Sequence, residues 1–331
     1  MRGDVSSIPC PFYVISWFPT SVIFRGEFAP YGRRLTSRHG PCSACRCWPC
    51  GNGSQHVFHR CDEVNKEIRK YAGARMNRLT PSVCIDSVFE GQSFQDACRA
   101  VQAAGIPAIE FWGWWDKDLV ALQEAQQENE LVISACCTKF ISLVNPADRS
   151  AYVDGVAASI EAALGLGTNI LISQVGDFRE GVPRAAQHES LVEGLLEVSP
   201  LLEQSGITLV IEPLNERVNH PGYYLVRSDE AFQIIDEVNN DFIKVVFDIY
   251  HQQISEGDLI ENIRKNIKKI GHFHAAGNPG RHELQKGEIA YHYIFEQIQA
   301  TGFAGYVGLE YWPVEKDAIP ALREVAGWLR T

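Results

Sequence analysis

Apolar and polar positions alternate in blocks along most of the chain. From residue 79 onward, short apolar runs are separated by longer stretches whose apolar residues recur at helical spacing. The runs are apolar almost throughout, as in LVIEPL and KVVFDIY, which is typical of parallel strands covered on both faces. The predicted strands are Leu79–Ile85, Ala108–Trp112, Leu131–Cys136, Asn169–Gln174, Thr208–Leu214, Lys244–Tyr250, Ile270–Ala275 and Gly305–Tyr311.

The stretches between these runs carry the start and stop signals of helices. Ser93 is a helix-capping residue, and glycines follow the last apolar positions of three helices, as C-terminal glycines do. The predicted helices are Ser93–Ala104, Tyr152–Leu166, Leu191–Ser205, a helix capped by Ser228, Gly257–Ile267, His292–Thr301 and Asp317–Leu329. Eight strand–helix units in about 250 residues predict an α/β fold, the (β/α)8 TIM barrel. A doubly wound open sheet is the alternative, but it would normally place a glycine-rich phosphate loop after the first strand, and none follows it.

Residues 1–75 lack this patterning and are rich in Pro, Gly, Arg and Cys. Their apolar run is broken by three prolines and is not followed by a small-residue cleavage site, which disfavours a signal peptide. The chain has two methionines, Met1 and Met76, and the regular pattern starts at the second. We therefore predict that residues 76–331 form the barrel and that Met76 is the natural start. Residues 1–75 are then an unstructured or wrongly assigned N-terminal extension.

Six of the ten cysteines lie in this extension, and four of them form a compact cluster. The spacing Cys42-x2-Cys45-x-Cys47-x2-Cys50, followed by His56, His59 and Cys61, provides residue types that ligate zinc. The spacing matches no common zinc finger, and little apolar material surrounds it. A chance cluster of thiols in an arginine-rich segment is therefore the favoured interpretation, with a zinc site as the alternative.

The charge of the chain differs between these two regions. Residues 1–75 hold 11 Lys and Arg against 5 Asp and Glu, a net charge of +6, and the remaining 19 and 36 give residues 76–331 a net charge of −17. A body this acidic repels phosphate backbones, which argues against nucleic-acid binding. No proline-free apolar stretch is long enough to predict a membrane span. The four cysteines after residue 75 fall inside apolar patterns, as buried free thiols do, which predicts a reduced, cytoplasmic protein.

Potential metal ligands follow the apolar runs, at the strand ends where TIM barrels carry their chemistry. The residues at these ends are Glu110, Glu212, Asp248, His251, His272, His274 and Glu310. Burying several carboxylates together is costly without a compensating cation. A buried salt-bridge network is the alternative, but Lys139 and Arg281 are the basic residues near these ends. Four successive strands, the fifth to the eighth, each end in such a ligand, and a set of three carboxylates (Glu212, Asp248 and Glu310) and one imidazole favours Mn²⁺, Mg²⁺ or Co²⁺ over a structural zinc site.

Several segments in this region resemble the hydroxypyruvate isomerase family. They are EPLN, HPGYYL (His220–Leu225), DIYHQQISEGDL (Asp248–Leu259), GHFHAAGNPGRHE (Gly271–Glu283) and GYVGLEYWP (Gly305–Pro313). That family belongs to the xylose-isomerase-like TIM barrels, which also include the tagatose and psicose 3-epimerases and endonuclease IV. The resemblance covers residues 76–331 in order and leaves residues 1–75 outside.

The resemblance implies roles for individual residues. Glu212, Asp248, His274 and Glu310 match the family's ligands for a divalent metal, and Glu212 and Glu310 match its two proton-transfer carboxylates. The residues that match or neighbour its substrate contacts are His251, Arg281, Asn215 of the EPLN segment, and His220 of the following loop. Two departures stand out. Some hydroxypyruvate isomerases carry glutamine where this chain has His274, and the second substrate-binding glutamate of the epimerases falls here on Val218.

The reaction implied is a proton transfer on a small hydroxy-keto acid or sugar. One glutamate takes the proton beside the carbonyl, and the other returns a proton to the neighbouring carbon or to the opposite face of the same carbon. The favoured reaction is hydroxypyruvate to tartronate semialdehyde. The alternatives are a ketose 3-epimerase, an endonuclease IV-like phosphodiesterase, disfavoured by the acidic charge, and a non-catalytic sugar-binding barrel, disfavoured by the two glutamates.

Aromatic and histidine residues near the strand ends leave further alternatives open. Trp112, Trp114 and Trp115 follow the second strand and line either the pocket or a subunit interface, in which case the protein is a homo-oligomer. His220 and Tyr223 either close over the substrate or belong to a simple turn. We expect His272 to face the core, away from the ligand pocket.

Overall fold

The computed structural model of the chain describes residues 78–330, so the predicted extension, its cysteine cluster and Met76 lie outside the described residues. Eight parallel strands form one closed barrel in sequence order, and β1 pairs with β8 to close it. The strands are β1 (Thr80–Cys84), β2 (Ala108–Phe111), β3 (Val132–Cys137), β4 (Ile170–Ser173), β5 (Thr208–Ile211), β6 (Ile243–Asp248), β7 (Ile270–Ala275) and β8 (Tyr306–Leu309). The predicted TIM barrel is therefore confirmed.

Helices fill the connections between successive strands. They are α1 (Ile85–Val88), α2 (Phe94–Ala104), α3 (Leu119–Glu128), α4 (Arg149–Leu166), α5 (Arg184–Ser205), α6 (Ser228–Val238), α7 (Ile249–Ser255), α8 (Leu259–Asn266), α9 (Tyr291–Ala300) and α10 (Ile319–Trp328), with short 3₁₀ turns at Pro146–Asp148 and Ile267–Lys269. Left-handed glycines end α2, α4 and α5, as predicted from Gly105, Gly167 and Gly206. Ser93 caps α2 by accepting a hydrogen bond from the backbone N–H of Asp96.

Several predicted helix starts differ from the structure. Helix α4 begins at Arg149, three residues before the predicted Tyr152. The helix expected from Leu191 begins at Arg184, and Pro200 lies inside it. Ser228 does not cap α6 but is its first residue, and its hydroxyl contacts the Glu256 side chain. Helix α3 was not predicted, because four of the five apolar residues in its sequence LVALQEAQQE are consecutive at its start and only Leu122 and Ala125 are buried.

The core has two parts. The larger cluster fills the space between the barrel and its helices. A smaller cluster lies among inward-facing strand residues: Ala108, Ala135, Cys137, Ile170, Ile172, Val210, Val246 and Tyr306. Polar side chains also lie buried in the strands, among them Glu110, Ser134 and His272. The barrel interior therefore changes from apolar to charged toward the ends of the strands, where TIM barrels carry their chemistry.

The described residues also bear on the predicted cysteines and on the membrane prediction. Cys84, Cys98, Cys136 and Cys137 are buried and free, as predicted. Among residues 78–330, no helix has the length and apolar character needed to cross a bilayer.

Candidate active site

The four predicted metal ligands converge at one end of the barrel. Glu212, Asp248, His274 and Glu310 each offer a ligand atom, and these atoms all lie within 4.8 Å of one another. His274 is central, with its Nδ1 2.9 Å from Glu212 Oε1 and 3.6 Å from Glu310 Oε2. All four residues are buried.

Strand register explains this convergence. Asp248 is the last residue of β6 and pairs with His274 on β7, which in turn pairs with Gly308 on β8. Glu212 directly follows β5, and Glu310 directly follows β8. The four side chains thus extend from four neighbouring strands at nearly the same position along the barrel axis. The tilt of the strands around the barrel directs them toward a common point.

Arg281 supplies a basic partner that the strand pattern alone did not place. Its Nη2 contacts Glu310 Oε2, and its guanidinium lies 5.1 Å from the ring centre of Trp312 and 5.5 Å from that of Tyr250. The residue has a φ of +58°, in the left-handed region that non-glycine residues rarely adopt. A backbone held in this conformation, with the side chain between two rings, fixes the guanidinium beside Glu310.

The cluster keeps an excess of negative charge even with Arg281 counted. The acids Glu212, Asp248 and Glu310 carry up to −3, and Arg281 and a protonated His274 return at most +2. Burial, only partly opposed by Arg281 and His274, raises the pKa of Asp248 to about 7. A buried carboxyl that retains a proton near neutrality is what an acid-rich site does when no further cation compensates it.

His274 and Glu310 are instead held in their charged forms by shifts of their pKa. Burial acts to lower the pKa of His274, but the charges of Glu212 and Glu310 outweigh it and raise the pKa well above its usual value. Burial acts to raise the pKa of Glu310, but Arg281, His274 and a hydrogen bond from Trp112 outweigh it and lower the pKa. Glu310 is therefore held as a carboxylate.

These residues fit a divalent cation. They combine carboxylate oxygens and one imidazole nitrogen, the donor types that Mn²⁺, Mg²⁺ and Co²⁺ accept. The donor atoms lie close enough together to face one ion, they are buried, and they carry surplus negative charge. Cation binding would replace the proton on Asp248 and the contact between His274 and Glu212.

His251 and Asn215 form a buried pair beside the acids. The Asn215 backbone N–H donates to His251 Nδ1 over 3.1 Å, and the amide Nδ2 lies 2.6 Å from the same atom. Burial, with the charge of Arg281, lowers the pKa of His251 well below its usual value, so the ring is neutral. With Nδ1 accepting, the proton sits on Nε2, which lies 3.6 Å from Asp248 Oδ2 and has no hydrogen-bond partner among residues 78–330.

The side chain of Asn215 is occupied within its own loop. Its Oδ1 accepts from the backbone N–H of Val218, and its Nδ2 donates to Asn219 Oδ1. Asn215 is fully buried, and its side chain also contacts His251 Nδ1, so it supports the His251 ring, whereas its role as a substrate contact stays a prediction. His220 is partly buried, and its ring centre lies 5.3 Å from that of His251. The two histidines are therefore neighbours at the edge of the cluster.

Tyr223 is fixed by the backbone. Its hydroxyl donates to the Glu212 carbonyl oxygen and accepts from the Val175 N–H, so it braces the end of β5 and is not positioned to close over a ligand. Of the two alternatives for Tyr223, the structure supports the turn.

The three tryptophans after β2 have different roles: one contacts the site, and the other two pack against residues around it. Trp112 Nε1 donates to Glu310 Oε1 over 2.6 Å, and the Trp112 ring also lines a cleft of about 320 Å³. Trp114 donates to Ser159 on α4, which makes it a packing residue. Trp115 lines the cleft and packs edge-on against Phe140. Of these three tryptophans, Trp112 is thus the one that contacts the acid cluster formed by Glu212, Asp248, His274 and Glu310.

The expectation for His272 was wrong in part. Residues two apart on a strand share a face, so His272 and His274 both point into the barrel, with ring centres 5.1 Å apart. His272 lies one layer deeper, where its Nε2 is 3.0 Å from Glu110 Oε2. Glu110 is a predicted strand-end acid outside the predicted ligand set, and the period-2 rule applied to β7 places its partner His272 on the same face as His274.

Comparison with known proteins identifies the family. The sequence profile of the xylose isomerase-like TIM barrel family matches residues 98–331. Hydroxypyruvate isomerase of Escherichia coli is 34% identical over 241 residues, covering 70% of this chain and 93% of the relative. A 2-oxo-tetronate isomerase of Cupriavidus necator is 31% identical over 243 residues, covering 69% of this chain and 91% of the relative.

A solved structure agrees with this assignment. The crystal structure of a family 2 AP endonuclease from Brucella melitensis is 28% identical to this chain, with a TM-score of 0.70, covering 77% of this chain and 100% of that one. The family match and the two relatives confirm the resemblance of the sequence motifs, and the solved structure shares the fold. The chain belongs to the hydroxypyruvate isomerase family of xylose isomerase-like TIM barrels, a family of aldose–ketose-type isomerases.

Proposed function

We propose that this protein is a divalent-cation-dependent isomerase that converts hydroxypyruvate to tartronate semialdehyde. The observation that carries the proposal is the pair Glu212 and Glu310, which enter from β5 and β8 and meet at the same imidazole, His274. Two carboxylates that face one point can carry out the two proton transfers of an enediolate reaction, one by removing a proton and the other by delivering one. The 34%-identical relative named hydroxypyruvate isomerase supports the substrate.

The residues that would hold the cation are Glu212, Asp248, His274 and Glu310. A cation bound there would act as a Lewis acid, polarising the carbonyl of the substrate. We propose Mn²⁺ or Mg²⁺, with Co²⁺ as an alternative, because three of the four ligands are carboxylates.

The two glutamates move protons between neighbouring carbons. One removes a proton from C3 of hydroxypyruvate, the C2–C3 double bond forms as the C2 carbonyl opens, and the other delivers a proton to C2. The hydroxyl proton at C3 moves to the C2 oxygen, so that C3 becomes the aldehyde. General acid–base help of this kind contributes roughly 10²–10⁴-fold to the rate.

Arg281 and His251 are the proposed substrate contacts. The fixed guanidinium of Arg281 can bind the substrate carboxylate through two parallel hydrogen bonds. The Nε2–H of neutral His251 has no hydrogen-bond partner among residues 78–330 and is available to a substrate oxygen. His220, next to His251, would contact the distal end of a longer substrate, and Asn215 would hold His251 in its tautomer.

A ketose 3-epimerase is the second candidate, because the same two glutamates could return the proton to the carbon it left. The Val218 position disfavours it. The epimerases carry a substrate-binding glutamate there, whereas Val218 is 63% exposed and has no polar side-chain group. A nucleic-acid substrate is disfavoured by the net charge of −17 on residues 76–331, despite the similarity to a protein named AP endonuclease.

An NMR assay in D₂O distinguishes these reactions. Protein stripped with EDTA and reloaded with Mg²⁺ is incubated with hydroxypyruvate, 2-oxo-tetronate, tagatose or psicose. We expect tartronate semialdehyde from hydroxypyruvate, with deuterium at C2 of the product, and no turnover before metal is restored. Deuterium exchange at C3 of a ketose with formation of its epimer would favour the epimerase, and activity in verified metal-free protein would refute cation dependence.

The proposed compartment is the cytoplasm. The buried free thiols at Cys84, Cys98, Cys136 and Cys137 support it, because such thiols persist in a reducing environment. The homo-oligomer suggested by the tryptophans stays a prediction.

A further inference from the structure

A second buried polar layer lies beneath the acid cluster. Its centre is Glu110 on β2, which is 2% exposed. Its Oε2 accepts a hydrogen bond from Ser134 Oγ over 3.0 Å and lies 3.0 Å from His272 Nε2. Ser82 on β1 extends the layer, with its hydroxyl 2.7 Å from that of Ser134. Strands β2, β3 and β7 thus meet at one carboxylate, and β1 joins them through Ser134.

The other oxygen of this carboxylate faces His274. Glu110 Oε1 lies 3.2 Å from His274 Nε2, within ion-pair distance, and neither atom has an aligned hydrogen-bond partner among residues 78–330. The opposite ring nitrogen, Nδ1, faces Glu212 and Glu310. The His274 ring therefore bridges the two layers, with one nitrogen directed at each.

The strand beside Glu110 is shaped to admit it. Gly308 on β8 has no side chain, and a Cβ placed there would overlap Glu110 Oε1 and lie 2.6 Å from Glu110 Cδ. Gly308 is also the register partner of His274. Burying one more carboxylate next to several others lowers the stability of the fold. A function of Glu110 in the acid cluster above it would explain why this position carries a carboxylate.

We propose that Glu110 is a positioning residue that holds His274 with its proton on Nε2 and its Nδ1 lone pair directed at the cation site. A histidine that ligates a metal through one nitrogen commonly donates its other N–H to a carboxylate, which fixes both the tautomer and the ring orientation. Glu110 is the carboxylate at that second nitrogen. This inference rests on the cation site of the proposed function.

A second cation held by Glu110, His272 and His274 is the competing explanation, since their ligand atoms also lie within 4.8 Å of one another. The existing contacts disfavour it. Glu110 Oε2 already accepts from Ser134 and contacts His272 directly, so one of its oxygens and one imidazole nitrogen are engaged.

The test measures cation binding rather than turnover. Full-length protein is stripped with EDTA and titrated with Mn²⁺ by calorimetry and by the EPR signal of free Mn²⁺. We expect Glu110→Gln, which keeps the shape of the side chain, to weaken Mn²⁺ binding by roughly 10- to 100-fold. The matched control is Glu256→Gln, another poorly exposed carboxylate, which contacts Ser228 and Arg227 away from the acid cluster and should leave the affinity unchanged.

Three results would overturn the proposal. Unchanged Mn²⁺ affinity in Glu110→Gln, with only the melting temperature lowered, would make Glu110 a purely structural residue. Two Mn²⁺ ions per wild-type chain, with one lost in the variant, would establish a second cation instead. Absence of Mn²⁺ binding by the wild type would remove the cation site itself, and with it the proposed function, whereas the first two results leave that function standing.

A measurement on the wild type keeps the proposal testable if the variant does not fold. Protein labelled with ¹⁵N-histidine and saturated with Mg²⁺ is analysed by long-range ¹H–¹⁵N correlation, with the His274 signals assigned by their loss in His274→Gln. We expect a neutral ring protonated at Nε2. A ring protonated at Nδ1 would contradict the proposal.

Discussion

Two glutamates that share one histidine are held in very different ways. Glu310 contacts the Trp112 indole and the Arg281 guanidinium as well as His274, whereas Glu212 is held by His274 through its carboxylate and by Tyr223 through its backbone oxygen. Glu310 is therefore constrained and ionised. The Glu212 side chain, with fewer contacts, is better able to move with the proton it transfers.

Replacing Glu212 by glutamine removes a group that can carry a proton but leaves the volume of the side chain nearly unchanged. We expect kcat on hydroxypyruvate to fall by roughly 10²–10⁴-fold and Mn²⁺ affinity to decrease, because the residue serves both functions in the proposal. Steady-state kinetics and calorimetry measure the two effects. The matched control is Glu216→Gln, an exposed glutamate on the same loop, which should behave as the wild type. Full activity in Glu212→Gln would exclude Glu212 from the mechanism.

Arg281 tests the proposed recognition of the substrate carboxylate. Arg281→Lys keeps the charge but loses the planar, two-pronged donor that lies near the rings of Tyr250 and Trp312. We expect KM for hydroxypyruvate to rise by about tenfold or more, with the exposed Arg217→Lys as the control. If KM is unchanged, the carboxylate is bound elsewhere.

Asp248 predicts how cation binding depends on pH. Its pKa of about 7 in the metal-free protein means that a cation must displace a proton at or below neutral pH, and the raised pKa of His274 acts in the same direction. Affinity for Mn²⁺ should therefore increase from about pH 6 to about pH 8, by up to about tenfold per unit for each proton released. Calorimetry in buffers of different ionisation enthalpy counts the protons. Affinity that is independent of pH over this range would contradict the assignment.

At the scale of elements, β8 must pass Glu110 closely enough that only glycine fits at position 308. Gly308→Ala should lower the free energy of unfolding by roughly 1–3 kcal/mol, because the added methyl forces a shift in a packed interior. Urea unfolding measures the change. Gly165→Ala in α4, where a Cβ meets nothing within 4 Å, is the control and should be neutral or slightly stabilising. Equal stability of the two variants would show that Glu110 moves aside at no cost.

Elements with a continuous apolar signal were predictable, and those without one were not. The strand β7 was predicted to the residue, because both of its faces are covered and its apolar run is bounded. Helix α3 was not predicted because it buries only two residues. The predicted start of α5 is too late because the segment before Leu191, RAAQHES, is mostly polar. Two of its polar residues, Gln187 and Ser190, are nevertheless buried, and their side chains form hydrogen bonds there.

At the scale of the whole molecule, the candidate site depends on barrel closure. Sequence position shows that Glu212 and Glu310 each follow an apolar run, but only a closed barrel brings β5 and β8 near one histidine. The sequence alone could suggest the ligand set and the family. It could not reveal the layer around Glu110, because those contacts join strands far apart in sequence.

The cation is the central claim, and its position can be measured directly. Crystals of the full-length protein grown with Mn²⁺ would be used to collect diffraction data at a wavelength where manganese scatters anomalously. We predict one anomalous peak per chain, within coordination distance of Glu212, Asp248, His274 and Glu310. A peak at other residues, or none at saturating Mn²⁺, would contradict the account.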